Sequence, residues 1–394
     1  NNLDAYIIPK NDEFFQEFSQ KNTLRTVTNF TGSAGSALIT KKQNFLFVDG
    51  RYAIQAVKEC GLKFKINIVP KNTIKKLIGS NKTKIKIGYS PKLFTRFNLE
   101  NKFGSNCKLI PCNESIINEN KNTKQFYSLN ESITGEKYNK KILRLMKIIS
   151  NKNLDNIYIS SPENVAWLLN IRGYDNPYSP IPNCQIIINK KKIYFFSKEK
   201  SWKTLKKEKI LKNIYYFKKK EFFNVIKQIE GSSFFLDRQS CSIYDEGLIK
   251  SKFKVKYGDD PCYLLKSIKN TTELEHVKKA HYYDGLAFTK FIFFLKNSKK
   301  KFDEVYLEKK LEVLKRKNKK YLYPSFKTIS GTGPNSSIIH YNSNERTNKI
   351  VKKDEIYLCD SGGQYKYGTT DVTRTLCFGK QSNSIKNIYT KVLK

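Results

Sequence analysis

The sequence predicts an α/β protein of more than one domain, and three observations carry that prediction. At 394 residues the chain exceeds what one hydrophobic core ordinarily serves. Short runs rich in Ile, Phe, Tyr and Val, bounded by Pro, Asn and Gly, alternate with stretches of helical period. After a polar interval the alternation restarts in a similar order, as two related domains side by side would. Hydrophobic residues at 39% and aromatics at 13% are ample for packed cores despite 28% charge.

In chain order, "DAYIIP" and "NFLFVDG" read as strands, "RYAIQAVKEC" from Arg51 as a helix and "IKIGY" from Ile85 as a strand. The stretch from about Asn118 to Gly135 is polar and irregular and predicts a linker. Beyond it come a helix at "YNKKILRLMKIIS", a strand at "NIYIS", a helix at "ENVAWLLNI" and strands at "QIIIN" and "KIYFFS". A second boundary is expected near Pro261, giving domains 1–125, 126–260 and 261–394. Thr272 and Glu275 have capping-box spacing and predict a long helix through Asn297. Leu274, Val277, Ala280, Ala287, Phe291 and Phe294 are its apolar stripe. A further helix is expected over Asp303–Lys315, followed by strands and tight loops in "FKTISGTGPNSSIIHY", "DEIYLCDSGG" and "TTDVTRTLCFG".

The formal net charge of +39 invites a nucleic-acid or anionic-membrane partner. The lysines, however, are spread along the whole length beside abundant Asn and Ile, the composition an AT-rich coding sequence produces. Runs such as Lys190–Lys192 and Lys218–Lys220 are expected to be solvated strand ends and turns, so neither nucleic acid nor membrane is expected as a partner. The eight cysteines include no C-x-x-C pair, and the spacing of Cys107 and Cys112 fits no zinc pattern. Scattered thiols suggest a reducing compartment, and the cytoplasm is the expected location. "FIFFL" (Phe291–Leu295) is flanked by lysines and far too short to span a bilayer. The chain opens on "NNLDAYIIP" without Met, so its natural start is expected upstream.

Two carboxylates, Asp360 and Asp371, flank the turn-forming stretch "SGGQYKYGTT". If the runs on either side pair as antiparallel strands, the carboxylates meet at one end. Two such groups repel unless they share a proton or a cation, and a hard divalent ion with oxygen ligands resolves the conflict. On spacing alone, a metal site and two solvated turn caps are equally open. His340 follows a Gly-Pro loop and is expected on a strand; a lone histidine on a strand is more often a hydrogen-bonded core residue than a catalytic one. Arg51, after a strand, reads by itself as a surface arginine. His276 and His281 lie five apart on the long helix without the HExxH pattern and are expected to be structural, His281 packing behind the site. Arg374 is at most a brace for the carboxylates. The glycine-rich "GSAGS" and "GTGPNS" miss both phosphate-binding patterns, and no G-x-S-x-G occurs.

"DSGGQYKYGTTDVTRT" resembles the first two metal ligands of the pita-bread metallopeptidases, in the form found in aminopeptidase P, the Xaa-Pro aminopeptidases. "FKTISGTGPNSSIIHY" resembles the segment that delivers their substrate-binding histidine. "LKSIKNTTELEHVKKAHYYDG" is similar to the helix opening their catalytic domain. "NFTGSAGSALIT" with "FVDGRYAIQA", and "NVAWLLNIRGYDNP", resemble the two preceding creatinase-like domains of the three-domain members. The resemblance covers essentially the whole chain.

It implies two creatinase-like α/β domains followed by the front part of an α+β pita-bread domain. The implied activity is removal of an N-terminal residue that precedes proline. Two divalent ions, manganese in the family, would be held by Asp360 and Asp371. His340 would be the catalytic and substrate-binding histidine, and Arg51 would contact bound peptide. The remaining ligands, a histidine and two glutamates, are expected beyond Lys394, and these residues alone are expected to be inactive. A homodimer is implied on the same ground. The alternatives are a prolidase-like Xaa-Pro dipeptidase, or a pita-bread fold that binds without catalysing.

Overall fold

The computed structural model describes residues 2–19, 22–79, 84–112, 124–190, 192–208 and 211–394. The chain divides into two units, Asn1–Asn270 and Thr271–Lys394. The expected linker lies partly outside the described residues; its later part forms a short strand, Tyr127–Ser128, and one helical turn, Glu131–Thr134.

The first unit holds two six-stranded sheets. One contains β1 (Ala5–Pro9), β2 (Ser36–Thr40), β3 (Phe45–Asp49), β4 (Lys65–Val69), β5 (Ile85–Tyr89) and β6 (Cys107–Pro111). The other contains β7 (Asn156–Ile159), β8 (Gln185–Asn189), β9 (Lys192–Ser197), β10 (Ile214–Lys218), β11 (Ser233–Leu236) and β12 (Lys254–Tyr257). Their spatial orders are β4-β3-β2-β1-β5-β6 and β10-β9-β8-β7-β11-β12. The two are one topology used twice, down to the direction of every pairing. In each, the first strand lies antiparallel to the second and parallel to the fifth.

Alternation along the central strands explains why both sheets are buried on both faces. Ile157, Ile159, Ile186 and Ile188 enter one core, while Tyr158 and Ile187 enter the other. The first sheet divides likewise, Ile7 and Leu38 on one side, Ile8 and Ala37 on the other. Helix α1 (Ala53–Cys60) follows β3, as "RYAIQAVKEC" predicted, after a single 3-10 turn at Gly50–Tyr52. Helices α2 (Tyr138–Ser150) and α3 (Pro162–Leu169) pack on the second sheet. The two halves of the unit are joined where Ser242 bridges Thr95 and Arg96 forks onto the buried Glu246, with Nη2 to Oε1 at 2.6 Å.

The second unit begins with helix α4 (Thr271–Asn297), followed by α5 (Glu304–Arg316) capped by the Asp303 carboxylate. Two three-stranded sheets follow: β14 (Ile329–Thr332), β15 (Ile356–Ser361) and β18 (Val372–Cys377), in the order β14-β15-β18, and β13 (Tyr321–Pro324), β16 (Gly363–Tyr365) and β17 (Gly368–Thr369), in the order β13-β16-β17. Helix α6 (Asn383–Leu393) ends the chain. Along β15, Tyr357 and Cys359 point into a core formed with Phe288, Phe291, Leu307 and Leu311. All eight cysteines are free. No helix among the described residues is long and apolar enough to cross a membrane.

Helix α4 departs from its predicted stripe. Leu274 and Val277 are exposed, and the buried face is Ala280, Asp284, Ala287, Phe288 and Phe291. Thr272 lies inside the helix rather than at its cap. An aspartate can occupy the stripe because Lys315 of α5 meets it: Nζ lies 3.1 Å from Asp284 Oδ1, with side chains 2% and 0% exposed.

Removing one member of such a pair leaves an uncompensated group in the core and typically costs about 3–5 kcal/mol, whereas replacing both with apolar residues is often neutral. Lys315→Met is expected to lose stability of that order in denaturant unfolding. Lys315→Met combined with Asp284→Leu is expected to regain most of it.

Candidate metal centre

The second unit builds its site at the ends of β15 and β18. The sequence "IYLCDS" alternates, so Tyr357, Cys359 and Ser361 are buried against the helices while Asp360 lies half-buried on the opposite face. Strands β15 and β18 pair antiparallel with Asp360 opposite Thr373 and Ser361 opposite Val372. Asp371, just before β18, therefore comes to the same end as Asp360. The expected meeting of the two carboxylates is realised, although the connection is more than a turn, since it carries β16 and β17.

Local bonds hold the crossing closed. The Gly363 N–H donates to Thr370 Oγ1 at 2.9 Å, and the Thr370 N–H donates to the Gly363 carbonyl at 3.0 Å. Ser325 Oγ donates to the Thr370 carbonyl at 2.9 Å. Gly362 sits where these chains meet: a Cβ there would lie 2.0 Å from the Thr370 carbonyl oxygen and 2.2 Å from Ser325 Oγ. Only glycine fits between Asp360 and its partners.

Electrostatics records the crowding. The Asp360 carboxyl is pushed above the ordinary carboxylate range, chiefly by burial, with the negative charge of Asp371 adding to the rise. The Thr373 hydroxyl, donating to Asp360 Oδ1 at 2.7 Å, and the nearby His340 pull the other way. Behind the strand, burial pushes the Cys359 thiol up to about 12, so it is a packing residue rather than a ligand.

His340 is not on a strand. It follows the 3-10 turn Gly333–Ser337, is exposed and has a left-handed backbone, φ 57°. It lies close enough to Asp360 to affect its charge, so the structure brings Asp360, Asp371 and His340 into one neighbourhood. Arg51 belongs to the first unit. Its Nε and Nη2 fork onto Asp49 at 2.9 Å each, its backbone N–H donates to the same carboxylate at 3.0 Å, and Tyr52 lies beneath the guanidinium. At 47% exposure that fork remains open to a competing acceptor.

Two minor expectations change. His281 is exposed, its Nδ1 paired with the Val277 carbonyl of its own helix at 3.0 Å, and so does not pack behind the site. Arg374 is exposed and donates to the Thr373 carbonyl at 2.8 Å rather than to either aspartate. The residues that sequence reasoning missed are Glu304, Asn335 and Tyr341, which anchor the loop carrying His340. A glutamate in a helix's first turn reads as an ordinary complement to the helix dipole, so nothing in the sequence singled it out.

Asp360 and Asp371 offer hard oxygen donors, and the raised Asp360 pKa marks a conflict that a divalent cation between them would relieve. The pair suits such an ion but fills only part of a coordination sphere. No cluster of three or more His, Cys, Asp or Glu side chains able to hold a metal occurs among the described residues.

Comparison with known proteins agrees with this geometry. The chain matches the creatinase/prolidase N-terminal domain over residues 1–119 and again over 118–273, and metallopeptidase family M24 over 275–394. Across its whole length it is 30% identical to the Xaa-Pro aminopeptidase ApepP of Drosophila melanogaster, covering 68% of that protein. It is likewise 30% identical to Xaa-Pro aminopeptidase 1 of Dictyostelium discoideum, covering 67%. The chain thus spans about two thirds of the length of these curated relatives. Its fold matches the X-prolyl aminopeptidase of Caenorhabditis elegans, described as a cytosolic enzyme with a di-nuclear active site, with TM-score 0.89 over 98% of this chain and 67% of that one at 24% identity.

A carboxyl whose folded pKa lies above its unfolded value favours folding while protonated. That contribution is present in acid and is lost as pH rises through the folded value. Asp371→Asn removes the charge that helps raise Asp360 and so lessens the loss. In pH-dependent thermal unfolding without metal, the variant is expected to match the unsubstituted chain in acid and to be at least as stable at neutral pH.

Proposed function

This chain belongs to the Xaa-Pro aminopeptidase family, with creatinase-type N-terminal domains ahead of an M24 metallopeptidase domain, and from that premise we propose that it acts in hydrolysing the bond between an N-terminal residue and a following proline. The observation that carries the proposal is that Asp360 and Asp371 come to the same end of an antiparallel ladder inside the M24 match. We further read the chain as three domains, 1–125, 126–260 and 261–394, the first two supported by their shared strand order.

In this reading Asp360 and Asp371 hold part of a site for two divalent ions, taken to be manganese. When bound, those ions supply Lewis acidity and a water of lowered pKa. The protein's own residues do the rest. Asp360, partly desolvated, keeps its carboxylate aimed by the Thr373 hydroxyl. His340 donates a hydrogen bond to the scissile carbonyl oxygen as negative charge develops there. Arg51 exchanges part of its fork on Asp49 for the bound peptide. Proline in second position makes the scissile amide tertiary, without an N–H, so recognition must rest on carbonyl groups and shape. A cytosolic homodimer acting on peptides, with neither nucleic acid nor membrane as partner, completes the proposal.

A prolidase-like dipeptidase would share the carboxylate pair. The two successive sheets of identical order favour the aminopeptidase.

The test is manganese-dependent release of the first residue from X-Pro-X peptides, against X-Pro dipeptides, by protein carrying the full ligand set. His340→Ala is expected to lower kcat by about 10²–10³-fold, the usual loss for one donor to a developing oxyanion. Arg51→Ala is expected to act mainly on KM. Residues 1–394 alone, with only part of a coordination sphere among their described residues, are expected to give no measurable turnover. Preference for X-Pro dipeptides would favour the prolidase alternative, and salt-sensitive RNA binding without peptidase activity would favour the binding module.

A further inference from the structure

Glu304 lies in the first turn of α5 with none of its surface exposed. Its Oε1 accepts the Thr332 N–H at 2.8 Å and Asn335 Nδ2 at 3.1 Å. Its Oε2 accepts the Tyr341 hydroxyl at 2.9 Å and the Lys349 N–H at 3.2 Å. A glutamate that merely complements a helix dipole can do so in solvent, without convergent partners. Here the donors come instead from one distant stretch, 332–349, which enters from the end of β14, makes the 3-10 turn, presents His340 and returns.

That stretch has little hydrogen-bonded framework of its own. Between its ends the backbone bonds are local ones, such as Ile338 N–H to the Asn335 carbonyl, Tyr341 N–H to Ile338 and Asn348 N–H to Asn344. Its ends are held by the β14–β15 ladder at Thr332 and by the Lys349 carbonyl, which accepts the Glu304 N–H at 3.1 Å, while Lys327 and Glu308 hold Asn342 and Ser343. The Glu304 carboxylate reaches the middle of the stretch, through Asn335 and Tyr341, next to His340. Tyr341, next to His340, donates its one hydroxyl proton to Glu304 at 2.9 Å, and the Thr347 carbonyl lies 3.1 Å from the same hydroxyl oxygen. Asn335 donates to the Tyr341 hydroxyl at 2.9 Å and to the Thr347 carbonyl at 2.9 Å, closing the ring of bonds. A buried carboxylate is tolerable only when its lone pairs are satisfied, so the loop's donors are as necessary to Glu304 as Glu304 is to the loop.

We propose that Glu304 is the positioning residue for His340, acting through Tyr341 and Asn335 to hold the left-handed turn that presents the imidazole beside Asp360. This rests on the reading of His340 as the peptide-binding histidine; Glu304 touches neither peptide nor ion. It extends that reading by locating what makes a loop histidine a fixed donor.

The chain has three histidines, so imidazole Cε1–Hε1 correlation spectra give three signals. His276, stacked on the Tyr367 ring, and His281, bonded to its own helix, serve as internal controls on α4. Glu304→Gln and the milder Tyr341→Phe are compared with the unsubstituted 394-residue chain. In both, the His340 signal is expected to narrow and move toward the position of an unstructured histidine, by several times any change at the other two. A His340 signal unchanged in folded Tyr341→Phe and Glu304→Gln overturns the proposal. So does movement of all three signals together in Glu304→Gln with none in Tyr341→Phe, which would make Glu304 a core residue only. Adding manganese to protein carrying the full ligand set tests the other reading separately. Paramagnetic broadening of His340 ahead of His276 and His281 supports the Asp360–Asp371 site, and absence of broadening there counts against that site while the positioning result stands.

Discussion

A deeply buried lysine and aspartate hold the C-terminal unit in register. Lys315 Nζ pairs with Asp284 at 3.1 Å and donates to Ser361 Oγ at 3.1 Å, while the Tyr365 hydroxyl donates to the same aspartate at 3.0 Å. One buried cluster thereby joins α4, α5, the last residue of β15 and the last residue of β16, the middle strand of the second small sheet. Burial, with the Asp284 charge behind it, drives the Tyr365 phenol far above its usual range, so it stays a donor. Such a pair is weak evidence for stability, since apolar residues could fill the space as well. Its effect is on geometry. Ser361 follows Asp360 directly, so fixing Ser361 fixes where the neighbouring carboxylate emerges.

With the backbone fixed from behind, the strand ends that carry the two carboxylates cannot spread. The antiparallel ladder sets Asp360 opposite Thr373, and the glycine crossing at Gly362 leaves no room for a side chain to spread the strands. Like charges in a half-buried setting would ordinarily be resolved by rotation into water, and Asp371, which is exposed, retains that freedom. Asp360 is half-buried, and burial chiefly, with the Asp371 charge adding to it, holds its carboxyl above the ordinary range. The fold therefore holds a conflict in place rather than removing it, the condition under which a divalent ion gains from being bound.

Local pattern carried much of the fold. The strands "QIIIN" and "KIYFFS" and the helix "YNKKILRLMKIIS" appear over the predicted spans, because alternation and helical period are properties of neighbouring residues. The carboxylate pair was legible for the same reason: turn residues between two strand-like runs imply their meeting, and resemblance gave the meeting a purpose. What stayed hidden depends on distant partners. Asp284 broke the apolar stripe of α4 because its cation comes from α5, 31 positions on. Glu304 looked like a helix-start acid because its donors lie 28 to 45 residues later. His340 was expected from a strand, yet it occupies a left-handed turn that only the surrounding bonds specify.

The placement of the groups follows from what each must do. A metal ligand must stand in a fixed relation to a second ligand, and paired strands hold such relations well. A histidine that meets a carbonyl oxygen only as charge develops needs an approach direction, which a loop can provide if its ends are pinned. Four neutral donors converge on the buried Glu304 carboxylate, and the Lys327 ammonium adds a tie to Asn342 and to the Ser343 carbonyl on the other side of His340. A carboxylate whose oxygens are met by hydroxyl, amide and backbone N–H groups is a rigid anchor, and a loop tied to it on one side and to an ammonium on the other has the pinned ends that a fixed approach direction needs.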